Sequence, residues 1–201
     1  MVSSGKPKNQ TMIQSSMFLT SDIHLFHAAI LKFEPEARPF TSVDEMNEAI
    51  VVRWNNIIGP KDVVYIAGDV SFGKLGQTIE ILNQLNGRKY LAVGNHDRHY
   101  VSNAEFCKCF VDMNERYEIK YNKKLYTISH YPQLSWNKSH IEGASYMLFG
   151  HEHSRFLGYH NMLNIGMDCH NLTPLHIEEI PDLVKNLPVN PYKIRTTRAA
   201  P

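Results

Sequence analysis

The sequence predicts an α/β fold in which packed sheets are flanked by helices. In the first half, short apolar runs alternate with amphipathic stretches, as buried strands alternate with crossover helices. The second half has more strand-like runs at closer spacing, which favours a more antiparallel arrangement. With 201 residues, 43% of them hydrophobic, the chain can form a single domain with a sizeable core.

The first half contains the pattern of three strands and two helices. The strands are predicted at residues 17–19, 63–67 and 90–93. Ser42 and Glu45 match a capping box, which predicts that a helix begins there and continues over residues 42–56. A second helix is predicted over residues 78–85, because an Asn-Gly pair that can end a helix follows it.

The second half is predicted to be richer in strands. Residues 117–121 and 124–128 flank the pair Asn122 and Lys123, which is the pattern of a β-hairpin. Further strands are predicted at residues 146–149, 162–165 and 175–177. The expected domain covers residues 17–186, between a disordered polar leader at 1–16 and a flexible, proline-rich tail at 187–201.

Composition limits the possible function classes and the compartment. The formal net charge is +1, with acidic and basic residues interspersed, so no strong field indicates nucleic acid or membrane binding. We find neither a signal-peptide pattern nor an apolar stretch that approaches a membrane span. The three cysteines lack a disulfide spacing, and we therefore expect a cytoplasmic protein.

Side chains that bind metal ions follow five of the predicted strands. In chain order the donors are Asp22, His24, Asp69, Asn95, His130, His151 and His153. Loops at one edge of a sheet share a crevice, so these donors are expected to converge. Seven donors are too many for one ion that keeps open positions, whereas two ions about 4 Å apart could share a carboxylate and hold a bridging hydroxide. Imidazole and oxygen donors without thiolate suit Mn, Fe, Zn, Ni or Co.

The donor motifs and their order resemble those of the calcineurin-like metallophosphoesterase superfamily. The motifs are Asp22-Ile23-His24, Gly68-Asp69, Gly94-Asn95-His96-Asp97, Ser129-His130 and Gly150-His151-Glu152-His153. The linking segments 38–47, 64–69 and 164–168 resemble those of small stand-alone bacterial and phage members. The likeness covers about residues 17–180 and implies a four-layer αββα β-sandwich of two mixed sheets flanked by helices.

The resemblance also implies a role for each motif residue. Asp22, His24 and His153 would hold one metal ion, Asn95, His130 and His151 the other, and Asp69 would bridge the two. Two divalent transition-metal ions are expected, with Mn²⁺ the first choice. As catalytic residues, His96 would donate a hydrogen bond to the phosphoryl oxygens or a proton to the leaving group, and Asp97 would orient His96.

These motifs predict a hydrolase that uses a metal-bridging hydroxide to cleave phosphate esters, monoesters or diesters, of a small molecule or nucleotide. Candidate substrate-binding residues are His27, Arg98 and Trp136. One alternative is a nuclease, supported by the basic residues Lys193, Arg195 and Arg198 alone. Another is a non-catalytic scaffold that kept the fold, but the chain retains all seven donors and His96, which favours catalysis.

Overall fold

The computed structural model describes residues 15–191. The strands are β1 Met17–Thr20, β2 Val63–Ile66, β3 Arg88–Ala92, β4 Asp112–Asn114, β5 Arg116–Tyr121, β6 Lys124–Ser129, β7 Ser145–Phe149, β8 Gly158–Tyr159, β9 Met162–Asn164 and β10 Leu175–His176. The helices are α1 Ile30–Phe33, α2 Val43–Ile57, α3 Leu75–Gln84, α4 Ala104–Cys107 and α5 Ile180–Leu183. Short 3-10 helices lie at His153–Arg155, Met167–Cys169, Ile177–Glu179 and Val184–Asn186.

The strands form two mixed sheets of five strands each. In the first sheet, ordered β10-β1-β2-β3-β4, strands β1 to β4 are parallel and β10 is antiparallel to β1. In the second sheet, ordered β5-β6-β7-β9-β8, the pairs β5–β6 and β8–β9 are antiparallel. Its central strands β6, β7 and β9 are parallel, so the expected antiparallel second half is right for its hairpins and wrong for its centre. The physical reason is that segments 130–144 and 150–161 each return the chain to the start of the next strand.

One hydrophobic core lies between the two sheets. Leu19 and Ala92 from the first sheet meet Ile128 and Leu148 from the second, and all four side chains are fully buried. The outer face of the first sheet is covered by α2 and α3, which contribute Met46, Ile50, Trp54 and Leu82 to a second cluster with Val64, Ile66 and Leu91. This arrangement confirms the prediction of two mixed sheets flanked by helices.

The segment between β6 and β7 packs on the outer face of the second sheet. Met147 and Phe149, which alternate with the inward-facing residues of β7, pack with Trp136 and Met162 in a third cluster. Segment 131–144, which supplies Trp136, folds as turns. This segment therefore covers part of that outer face.

The helices and the hairpin follow their sequence signals closely, with one exception. The Ser42 hydroxyl accepts a hydrogen bond from Glu45 N at 3.2 Å and caps α2, which ends one residue beyond the predicted bound. Asn122 and Lys123 have φ of 45° and 65°, as the two-residue turn of a hairpin requires. Helix α3 begins three residues earlier than predicted, because its N-cap, Lys74, supplies no side-chain signal that sequence reading can detect.

The packed domain extends beyond both predicted bounds. Ser16 N donates to Asp62 Oδ1 at 2.8 Å, and His160 N donates to the Pro188 carbonyl at 2.8 Å. Asn190 is buried, so part of the predicted tail packs against the domain: proline-rich composition excludes regular structure but not packing. The remainder of the predicted leader and tail, residues 1–14 and 192–201, lies outside the described residues.

Within residues 15–191, no helix combines the length and the apolar character needed to cross a membrane.

Candidate metal centre

The loops after four strands bring six of the seven predicted donors together in two groups. Asp22, His24 and His153 form the first donor group, and Asp69, His130 and His151 form the second. Within each group the potential ligand atoms lie within 4.8 Å of one another. These loops follow β1, β2, β6 and β7 at their carboxyl ends, where parallel strands of both sheets deliver their loops to one crevice.

Asp69, a member of the second donor group, also faces the first. Its Oδ2 atom is 3.7 Å from His24 Nε2 and 3.4 Å from His130 Nε2. Since His24 belongs to the first group and His130 to the second, one carboxylate faces both. This is the position that the resemblance implies for the bridging ligand.

Asn95, the seventh predicted donor, joins the second group. Its Oδ1 atom lies 2.8 Å from His130 Nε2 and accepts a hydrogen bond from the Tyr131 hydroxyl at 3.2 Å. His151 Nδ1 is 3.3 Å from the same His130 nitrogen. The ligand atoms of Asn95, His130, His151 and Asp69 therefore surround a common space.

Five of the seven donors have strained backbone. Asp22, His24, Asp69, His151 and His153 have φ between 48° and 70°. This left-handed region is costly for residues other than glycine and persists only where the surroundings enforce it. The loop after β2 holds the loop after β1 in this conformation through backbone hydrogen bonds from Asp22 N to Gly68 O at 3.0 Å and from His24 N to Asp69 O at 3.1 Å. The fold thus holds the donors in place before any ligand arrives.

The buried ring of His24 shows that this space suits a cation. His24 Nδ1 lies 2.9 Å from His27 Nδ1, whereas its Nε2 atom is buried without a hydrogen-bond partner among residues 15–191. A buried polar atom without a partner is costly. A divalent transition-metal ion would satisfy it, and the imidazole, carboxylate and amide donors around it are ligands that such ions accept.

The pKa shifts of three donors also suit metal binding. Burial lowers the pKa of His24 and of His151, so both rings are neutral at neutral pH. Burial would raise the pKa of Asp22, but the nearby imidazoles of His24, His130 and His153 lower it overall. Neutral imidazole and ionised carboxylate are the forms that ligate metals.

Gly150 allows the loop after β7 to approach the loop after β1. A Cβ atom at this position would lie 2.7 Å from Ser21 Cβ and closer still to Ser21 Oγ and to the Asp22 carboxylate. Because this side is open, His151 N can donate to Asp22 Oδ2 at 2.9 Å. The absence of a side chain at Gly150 therefore allows a direct hydrogen bond between a residue of each donor group.

Arg38 and Asp168 support the first donor group from behind. Asp168 Oδ2 lies 2.7 Å from His153 Nδ1, and Asp168 Oδ1 accepts from Arg38 Nε at 2.6 Å. Burial would raise the pKa of Asp168, but the bonds with His153 and Arg38 outweigh it and lower the pKa to about 2. Burial would likewise lower the pKa of His153, but Asp168 and Asp22 raise it overall. Sequence analysis identified Arg38 and Asp168 only as members of the family-like segments 38–47 and 164–168.

His96 and Asp97 occupy different environments. The His96 ring is 44% exposed, and its Nε2 atom lies 4.0 Å from Asp69 Oδ2 at the mouth of the centre. Asp97 is fully buried, and its carboxylate accepts from the backbone N–H groups of Asp69, Val70 and Gly94, each at 2.9 Å. Its hydrogen bonds thus hold two donor loops together, whereas the resemblance implied that it orients His96.

The three candidate substrate residues have separate positions. The His27 ring stacks on Phe72 at 3.8 Å between ring centroids and lies behind His24, and burial lowers its pKa to about 4. Trp136 is buried in the third cluster and donates from Nε1 to Ser145 Oγ at 3.0 Å, and its contact with substrate stays a prediction. The Arg98 guanidinium is exposed and lies 3.9 Å from Glu115 at the surface. Only His27 therefore borders the centre.

Two exposed aromatic rings that sequence reading missed lie beside the donors. Phe72 is 36% exposed, and its ring centroid is 4.4 Å from that of His96. Tyr131 is 49% exposed and lies edge-on to His151 at 4.6 Å. We call these two residues the aromatic rim. No sequence pattern distinguishes such rim residues from aromatic residues of the core.

A comparison with protein families matches the whole described domain. A family model described as calcineurin-like phosphoesterase matches residues 17–191. That range contains all seven donors, and it also includes residues 187–190, which pack against the domain.

Relatives of similar length are found in archaea, phages and bacteria. The uncharacterized protein MJ1445 of Methanocaldococcus jannaschii is 28% identical over 184 residues, which cover 87% of this chain and 94% of that protein. The gene 66 protein of Mycobacterium phage D29 is 24% identical over 201 residues, covering 86% and 98% of the two chains. The crystal structure of AQ665 from Aquifex aeolicus, described as a protein of unknown function, shares the fold: TM-score 0.67, 24% identity, with 85% of this chain and 100% of that chain covered.

Proposed function

The chain belongs to the calcineurin-like phosphoesterase family and is a metal-dependent phosphoesterase, and we propose that it hydrolyses a small phosphate ester at a centre of two metal ions. The observation that carries this proposal is the pair of donor groups, with Asp69 of the second group facing both. Seven donors, one of them this shared carboxylate, exceed what a single catalytic ion uses.

The residues around the centre support an assignment of ligands. Asp22, His24 and His153 would hold one ion, Asn95, His130 and His151 the other, with Asp69 shared. We propose Mn²⁺ as the native ion, with Fe, Zn, Ni and Co as alternatives that suit the same donors. Two divalent ions bound here would neutralise the charge of the ester and lower the pKa of a water molecule between them.

His96 is placed to act on the substrate rather than to bind metal. Its backbone N–H donates to Asp69 Oδ1 at 3.0 Å, which holds the residue at the mouth of the centre. Its half-exposed ring can donate a hydrogen bond to a phosphoryl oxygen or a proton to the departing alkoxide. Asp97 would support this step indirectly, because it fixes the loop that carries His96.

The aromatic rim favours a substrate with a flat ring. Phe72 lies beside the first donor group and Tyr131 beside the second, and both rings are partly open to solvent. A base or aryl group next to the phosphate could stack on either ring, and such stacking is worth about 1–3 kcal/mol per base. We therefore propose nucleotides or other aryl-bearing esters as the substrate class, with monoesters and diesters both open.

Hydrolysis assays with added Mn²⁺ test these proposals. We expect the protein to cleave p-nitrophenyl phosphate or bis(p-nitrophenyl) phosphate and to prefer nucleotide esters to the corresponding ribose phosphate. Phe72→Leu should raise the KM for nucleotides and leave that for ribose phosphate unchanged. An inert protein with both ions bound would contradict the catalytic proposal and favour a scaffold, and activity confined to DNA or RNA strands would favour a nuclease.

A second variant isolates the contribution of His96. His96→Gln should lower kcat by about 10²–10⁴-fold, the usual range for loss of an acid or base, while metal content stays unchanged. His99→Gln is the matched control, because His99 lies on the same turn, is exposed and packs on Tyr100. Near-normal turnover in His96→Gln with intact metal content would show that His96 has no catalytic role.

A further inference from the structure

A buried chain of hydrogen bonds leads away from the first donor group and ends at Arg38. His153 Nδ1 contacts Asp168 Oδ2 at 2.7 Å, and Arg38 donates to the same carboxylate from Nε at 2.6 Å and from Nη2 at 3.3 Å. The side chains of Arg38 and Asp168 are fully buried. A buried ion pair adds little stability compared with apolar side chains of similar volume, so stability alone does not account for this pair.

The same guanidinium also holds the backbone around Asp22. Arg38 Nη2 donates to the Asp22 carbonyl at 2.7 Å, and Nη1 donates to the Ile23 carbonyl at 2.9 Å. Asp22 and His24, on either side of these carbonyls, have the strained φ values of 52° and 54°. Arg38 therefore contacts both the strained loop with two donors and the carboxylate that holds the third.

We propose that Arg38 and Asp168 are positioning residues that make the first donor group the tighter of the two metal sites. When Asp168 accepts the Nδ1 proton of His153, the lone pair at Nε2 is left free for the ion. A carboxylate in this position also fixes the ring and makes it a stronger ligand. Arg38 keeps the carboxylate in place and charged.

The second donor group lacks this support. His130 Nδ1 lies 2.8 Å from the Ala67 carbonyl, a neutral acceptor. His151 turns its Nδ1 toward His130 Nε2, and in the described part of the chain no carboxylate supports its ring from behind. Asp69 is the one charged ligand in this group, and it is shared with the first. The geometry thus makes the two sites unequal.

Titration of the full-length, metal-free protein with Mn²⁺ and with Zn²⁺ in a calorimeter tests this inequality. The wild type should bind two ions with different dissociation constants. Asp168→Asn should raise the smaller constant by about 10–100-fold and change the larger one less than about threefold. Arg38→Lys, which keeps the charge but cannot contact Asp168 and both carbonyls together, should give an intermediate loss. Arg53→Met is the control, because Arg53 lies on α2 and donates to Asn171 at the surface.

The tautomer of His153 gives a readout that a merely structural role would not change. In Asp168→Asn, the amide NH₂ can face His153 Nδ1 and move the ring proton to Nε2, where it blocks the ion. Nitrogen-15 NMR of the metal-free protein, with His153→Gln used to assign the signal, should show an Nδ1 proton in wild type and an Nε2 proton in Asp168→Asn. Thermal unfolding of each variant establishes that it is folded, and if Asp168→Asn is not, Arg38→Lys provides the comparison.

Because this positioning role rests on the proposed metal centre, the outcomes must separate the two ideas. A wild-type protein that binds no divalent ion would overturn the proposed function. A wild type that binds two ions, with folded Asp168→Asn and Arg38→Lys variants that bind both equally well, would overturn the positioning role alone. Equal weakening of both metal sites in these variants would also contradict the positioning role, because Arg38 and Asp168 would then not act on the first donor group in particular.

Discussion

Asp97 offers a sharp test, because its hydrogen bonds and the resemblance assign it different roles. Asp97 Oδ2 accepts from Asp69 N and Gly94 N, while Oδ1 accepts from Val70 N. In Asp97→Asn, the amide oxygen can keep the first two bonds, but the NH₂ group then faces the N–H of Val70. One buried donor without a partner costs about 1–3 kcal/mol, so we expect a loss of about 2 kcal/mol of unfolding free energy. Asp97→Ala leaves three such donors and should cost about 4 kcal/mol or more.

Urea unfolding of the metal-free protein measures these losses without the contribution of bound ions. A loss of 2 kcal/mol corresponds to a midpoint lower by about 1 M urea. Asp44→Asn is the control: Asp44 is exposed on α2, and its replacement should cost no more than about 0.5 kcal/mol. If Asp97→Asn unfolds at the wild-type midpoint but has lower turnover, the loop-holding role is refuted and the orientation of His96 is favoured.

Three further predictions concern the donor loops and pH. Asp69→Asn should raise both metal dissociation constants at least about tenfold in calorimetric titration. The reason is that loss of a shared ligand should weaken binding no less than loss of a residue that hydrogen-bonds a ligand. A change confined to one site would contradict bridging by Asp69. Gly94→Ala would place a Cβ 2.6 Å from Asp69 N, and we expect urea unfolding to show a loss of about 1–3 kcal/mol. An unchanged midpoint would refute that close approach. Burial lowers the pKa of His170 from 6.5, so the unfolded chain takes up this proton first and stability falls as pH drops below 6.5. His170→Gln should therefore give a shallower fall in the unfolding free energy of the metal-free protein, and an equal slope would refute this cause.

Local sequence order was enough to predict the donors and most of the first sheet. Asp22, His24, His151 and His153 follow apolar runs directly, and such runs followed by polar residues indicate strand ends. The direction of the strands in the second sheet could not be predicted in the same way. Whether two strands run parallel depends on whether the connection between them returns the chain to the same edge of the sheet. The residue pattern of segments 130–144 and 150–161 does not indicate that they do so.

Side-chain roles away from the motifs depended on where the loops pack. Trp136 lies in a loop next to a donor, and this position suggested a substrate contact. In the structure its indole packs on Met147 and Phe149, which form an apolar patch on the outer face of the second sheet. Within a motif, the hydrogen bonds of Asp97 depend on packing as well, because the backbone N–H groups from which it accepts belong to a loop 27 and 28 residues earlier in the chain and to its own turn.

The sequence by itself determined which side chains gather at the centre, because the identity and spacing of Asp22, His24, Asp69 and the later donors place residues that can bind metal at the ends of five strands. Only the tertiary structure decided how that chemistry is supported. Arg38 and Asp168 are separated by 130 residues along the chain, and their contact exists because the loop after β1 and the segment after β9 meet at one edge of the two sheets. Local patterns report which face of an element is buried, whereas a buried ion pair between distant segments is a property of how those elements are assembled.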